Sequence, residues 1–89
     1  MIALQKDLLI VLRSHIENAA NSDEISLVLN TFEPIVIKML NDDVEIACSG
    51  SLEKLAELDT ITEFCSQSVL PAIKAVIIDQ IDIVLSANS

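Results

Sequence analysis

Tyrosine and tryptophan are absent from this 89-residue chain, and Phe32 and Phe64 are its only aromatic residues. Bases cannot be held by stacking on so few rings. Basic residues are also scarce: five Lys and Arg stand against fourteen Asp and Glu, a formal net charge of −9. That balance repels phosphate backbones and anionic lipid heads, so neither nucleic acid nor a membrane is an expected partner, whereas a neutral or basic protein is. There is one glycine and no Asn-Gly or Asp-Gly pair, so a sheet built from hairpins has nothing to turn on. The two cysteines, Cys48 and Cys65, have neither CxxC nor metal-ligand spacing. They read as small buried hydrophobes in a reducing, cytoplasmic setting.

What the chain has in quantity is aliphatic residues: hydrophobic types make up 52% of it. A chain this short forms a single domain, residues 1–89, with a small core. The supply of Ile, Leu and Val exceeds what one small core needs, which suggests a surface kept for a partner, a second copy of the chain included. The opening MIALQKDLLIVLRSHIE does not read as a signal peptide, because its apolar run LLIVL is short and lies between Asp7 and Arg13. The greasiest stretch, VLPAIKAVIIDQIDIVL (Val69 to Leu85), carries Lys74, Asp79 and Asp82 and does not read as a membrane span.

Apolar spacing is helical throughout, which predicts an all-α fold, a compact bundle of four to five helices. The first helix is expected over Ile2 to Ala20, with Leu4, Leu8, Leu12, Ile16 and Ala19 on one stripe and Leu9 and Val11 widening it. A second follows with Ser22 as cap and Ile25, Val28, Leu29, Phe32, Val36, Met39 and Leu40 inward. Pro34 predicts a kink there, or a restart capped by Thr31. After a turn at Asn41 to Asp43, a third helix is expected through Val44, Ala47, Cys48, Ser51, Leu52, Leu55 and Ala56, with Gly50 weakening it or "SGS" breaking it. The strand alternative for VEIAC has no pairing partner. Asp59 or Thr60, the latter fitting a capping box with Glu63, opens a fourth helix through Ile61, Phe64, Cys65 and Val69, and Pro71 kinks or restarts the chain after it.

Slid against itself by 37 residues, the chain places Ser22 on Asp59, Pro34 on Pro71 and Asp42 on Asp79, with Val36, Met39 and Leu40 meeting Ile73, Val76 and Ile77. A period in this range is typical of stacked helical hairpins. On these residues the stretch from 22 to 85 resembles a HEAT or armadillo-type repeat: a proline in the first helix, apolar pairs, an Asp eight residues after the proline, then an Ala- and Leu-rich helix. The resemblance implies HEAT-like stacked hairpins, with Asp79 marking a turn and Ile81 beginning a further helix. The basic residue common early in the second helix of such units is missing here.

No catalytic, metal-binding or phosphate-binding signature stands out, and the chain is expected to be non-enzymatic and free of cofactors. His15 has no second His at helical spacing and reads as a surface or half-buried residue. Asp42, Asp43 and Glu45 lack the Gly and Glu that would put them in register as a calcium loop. "SGSL", followed by Glu53 and Glu57, is similar to an acyl carrier protein around its phosphopantetheine serine, which makes Ser51 an alternative modification site. Gly50, however, stands where Asp normally precedes that serine. Between Asn41 and Glu63 seven acids face one Lys54, a local charge of −6 that suits a basic partner or, as a further alternative, mimics a nucleic-acid backbone to occupy a basic groove.

The preferred reading is a small acidic helical interaction module: an adaptor, inhibitor, chaperone or scaffold piece. Its expected partner is a second copy of itself or a neutral or basic protein. On a helical wheel Ala75, Asp79 and Asp82 share a narrow polar sector of the Val69 to Leu85 stretch. Val69, Ile73, Val76, Ile77 and Val84 form one apolar side, and Ile78, Ile81 and Leu85 extend it beyond what one core requires. The expected interface is therefore Ile78, Ile81 and Leu85, with Asp79 and Asp82 at its edge.

Overall fold

The computed structural model describes residues 1–42, 45–62 and 67–89, with 59–62 and 67 by their backbone alone. Four helices make up the described chain: α1 (Ala3–Asn18), α2 (Ser22–Asn41), α3 (Ser49–Thr62) and α4 (Leu70–Ala87), the last entered through a 3-10 turn at Gln67–Val69. No strand occurs among the described residues. The protein is an all-α, four-helix bundle.

Helix starts follow from polar side chains that meet free N–H groups. Asn21 caps α2, its side-chain oxygen accepting the Glu24 N–H at 2.9 Å, while the Glu24 carboxylate accepts the Ala20 N–H. The cap thus falls one residue before the expected Ser22. At α1 the Gln5 carboxamide oxygen accepts the Ile2 N–H at 3.1 Å. Gln5 is otherwise buried, and its amide nitrogen lies 3.5 Å from the Asp42 carboxylate at the far end of α2. That contact, and the short connection through Ala19, Ala20 and Asn21, set α1 and α2 antiparallel.

Neighbouring pairs α1/α2, α2/α3, α3/α4 and α1/α4 close a ring. Lys74 at the start of α4 donates to the Glu17 carbonyl at the end of α1 (3.1 Å), so these two helices also run antiparallel. At the opposite end the Asn88 side chain clasps Ala47 both ways, accepting from its N–H and donating to its carbonyl, each at 2.9 Å. The terminal ammonium of Met1 donates to the Glu45 carbonyl at 3.0 Å. Both chain ends therefore hold the connector between α2 and α3.

The core is aliphatic: Leu9, Leu12, Ile16 and Ala19 from α1 and its end; Ile25, Leu29, Val36 and Met39 from α2; Leu52 and Leu55 from α3; Leu70, Ile77, Ile81 and Val84 from α4. Each fully buried Leu or Ile contributes about 1.5–3 kcal/mol before entropy is charged against it. The α1 stripe differs from expectation, since Leu4 is 65% exposed and Gln5 takes its place inside. Residues four apart drift about 40° per step around a helix, whereas the observed 5, 9, 12, 16 spacing alternates four and three and stays on one face.

Prolines and turns also differ from the sequence reading. Helix α2 runs through Pro34 without a break. Helix α3 begins at Ser49, after Cys48 takes a left-handed conformation (φ 59°), so the break lies just before "SGS". It continues past Asp59 and Thr60, which therefore do not open a helix. The expected roles of Asp43, Val44, Glu63, Phe64 and Cys65 fall outside the described residues. Pro71 sits in the first turn of α4, where a missing N–H costs nothing. Residues paired by the 37-residue offset thus hold different posts. Pro34 is interior to a helix while Pro71 starts one, and Asp42 closes α2 while Asp79 lies within an unbroken α4.

Candidate interaction surface

Of the five expected interface residues, Ile81 is corrected outright: it is 0% exposed, in the centre of the core, and no partner can touch it in the folded state. Ile78 and Leu85 are half-buried and packed against that core. They share a flank of α4 with Lys74 and Asp82, and those two residues identify what covers the flank. Lys74 reaches the Glu17 carbonyl, and Asp82 meets Arg13 with contacts of 2.8 Å to Nε and 3.3 Å to Nη2. The second apolar side of α4 is therefore covered in large part by α1 of the same chain. Asp79 alone of the five is exposed.

Arg13 also pairs with Glu17 one turn along α1. Its guanidinium pKa is raised, first by the Asp82 hydrogen bond, against a smaller opposing effect of burial and with further support from the charges of Asp82 and Glu17. Since all three side chains are substantially exposed, the fork–fork geometry orients α1 on α4 more than it stabilises the bundle.

Large aliphatic side chains do remain in solvent, on other faces. On α1 these are Leu4, Ile10 and Val11, preceded by Ile2; on α2, Leu27 and Ile37; on α4, Val76 and Ile83, preceded by Val69. Leu27 borders a depression of about 210 Å³ between α1 and α2, shared with His15, Asn18, Ala19, Glu24 and Val28. His15 is exposed and its ring stands 6.1 Å from that of Phe32. The α4 residues are spaced by seven, so they form one outward stripe. The sequence expectation groups Val69 and Val76 with Ile77 and Val84, but Val76 lies about 100° round the helix from Ile77, and that angle separates the outward row from the inward Leu70, Ile77 and Val84.

Ser51 is half-buried in the first turn of α3, its N–H donating to the Cys48 carbonyl at 3.0 Å. A shallow depression beside it is lined by Cys48, Gly50, Glu53, Lys54 and Glu57. Cys48 is exposed, contrary to the expected core position, because the left-handed turn lifts it off the end of the bundle. Asp42, Glu45, Glu53 and Glu57 are all exposed, as is Lys54, so the described part of the acidic segment faces water. Among the described residues no group of three or more His, Cys, Asp or Glu is arranged to hold a metal ion, and no helix is long and apolar enough to cross a membrane. Compared with protein-family models, with curated proteins and with solved structures, the chain matches none of them.

Proposed function

We propose that this protein is a small acidic protein–protein interaction module that works without catalysis, presenting aliphatic helix faces from a rigid four-helix frame. The observation that carries the reading is the ordered exposure of Val76 and Ile83 along α4 and of Val69 just before it, alongside Leu4, Val11 and Leu27 on α1 and α2. Single exposed apolar residues are ordinary, but rows of them at helical spacing are the signature of a docking face. The charge of −9 keeps such a surface soluble and selects against anionic partners. An exposed Cys48 thiol goes with a reducing, cytoplasmic setting.

The test is tagged purification from the cells that make the protein, with a wash near 0.5 M salt to strip purely electrostatic company. Wild type should retain a protein in stoichiometric amount, or in light scattering show the mass of two chains. A variant with Val11, Leu27 and Val76 all changed to Ser should lose it. A wild-type chain that is monomeric and recovers no stoichiometric partner overturns the reading.

A further inference from the structure

We propose that the outward stripe of α4 is a docking seam for an amphipathic helix of a different protein, one that carries an arginine or lysine within its own apolar face, opposite Asp79. The proposal rests on the interaction-module reading and names its surface and its partner's chemistry.

Val69, Val76 and Ile83 are 42%, 50% and 38% exposed. Three residues beyond each stand Ala72, Asp79 and Ser86, all exposed. This is the alternating three-and-four spacing by which one helix seats another, with β-branched residues at one position and small or polar residues at the other. Within α4 the seam runs from Ala72 to Ser86, about 21 Å, and points about 140° away from the Ile77, Ile81 and Val84 core face.

Asp79 decides the occupant. It is exposed at the middle of the seam, and the ion pairs among the described residues, Arg13 with Glu17 and Arg13 with Asp82, do not include it. The lysine nearest along the helix, Lys74, is turned to the Glu17 carbonyl on the other flank. Asp79 also borders an open depression of about 530 Å³ with Asp82, Ile83, Ser86 and Ala87. Apolar side chains there can take the stem of a Lys or Arg while the Asp79 carboxylate takes its charged head, Asp82 being already held by Arg13. A second copy of this chain fits poorly. Parallel pairing puts two Asp79 carboxylates in one layer, and antiparallel pairing sets each against Val76 with the other about one turn away. Either way two desolvated anions meet with no cation, in a complex that doubles a charge of −9. A cationic helix removes both penalties.

The probe is a synthetic amphipathic peptide of about three heptads, with a leucine seam, lysines elsewhere and one arginine in the middle of the seam; its twin has leucine there. Binding is read by fluorescence anisotropy, with circular dichroism confirming that each variant is folded. Wild type should bind the arginine peptide. Asp79→Asn should weaken that complex about tenfold or more and leave the leucine twin unaffected, as a cross-interface charge pair requires. Val76→Ser should weaken both, and Leu27→Ser on α2 neither. The proposal is overturned if the arginine peptide does not bind, if Asp79→Asn acts equally on the two peptides, if Leu27→Ser is the damaging change, or if light scattering finds a dimer that Val76→Ser dissolves. A Leu27-dependent result moves the docking face and spares the interaction reading, which fails only with the absence of any partner.

Discussion

Replacing Pro34 by alanine should stabilise this protein substantially, an unusual sign for a point mutation. Pro34 is the thirteenth residue of the 20-residue helix α2, which continues on both sides of it, and it is exposed, so its removal takes nothing from the core. Proline in a helix interior is about 3 kcal/mol worse than alanine, because its ring crowds the carbonyl four residues back and it has no N–H to donate there. Here the deprived acceptor is Asn30. Against this gain stands the stiffness that proline confers on the unfolded chain, about 0.4–1 kcal/mol. The net expectation is a gain of about 2 kcal/mol, which in a domain of this size raises Tm by about 8–16 °C. Pro71 supplies the control: it lies in the first turn of α4, where its N–H would have no helical acceptor, so Pro71→Ala should be neutral or slightly destabilising. Urea unfolding followed by circular dichroism separates the two, with an unchanged m-value showing that stability and not compactness has moved. If Pro34→Ala is neutral or destabilising, the reasoning fails, and the proline must instead set a bend around which Leu29 and Val36 are packed.

Ile81→Ala should cost about 2–5 kcal/mol as a core cavity, and Ile81→Asp should leave the chain unfolded by circular dichroism; a folded Ile81→Asp protein would contradict the burial of that side chain. The Gln80 side-chain oxygen is buried without a hydrogen-bond partner among the described residues, so Gln80→Met should raise stability in urea by about 1 kcal/mol. A thiol reagent added to the native protein should label Cys48 without prior unfolding, and Cys48→Gly should stabilise by about 1 kcal/mol by relieving the left-handed conformation, both checked on the purified chain.

Much of the fold was legible because helices are written locally. The inward row of α2, Ile25, Leu29, Val36 and Met39, follows from spacing alone, and so does the turn at Asn21 with acids behind it. Misreadings fell where two local signals were close in strength. In α1, leucines four apart suggested a stripe through Leu4, but the side chain of Gln5 could serve both the helix start and Asp42, and burying it turned Leu4 outward. At Pro34 the local preference to break the helix lost to the core contacts on either side of it. Around Cys48 the apolar content suggested helix, whereas the turn is held by Asn88 from the far end of the sequence.

The sequence alone determined that this protein is helical, that its core is aliphatic and that it has more apolar surface than one small core consumes. Those properties depend on composition and on a period of about 3.6 residues, both present in any short window of chain. Which side of α4 is left open was decided only in three dimensions. A helix that is apolar over most of its circumference has no preferred free flank until its neighbours dock, and here α1, fixed by Arg13 to Asp82 and by Glu17 to Lys74, covers Ile78 and Leu85. What remains outside is the row of Val69, Val76 and Ile83, with Asp79 among them.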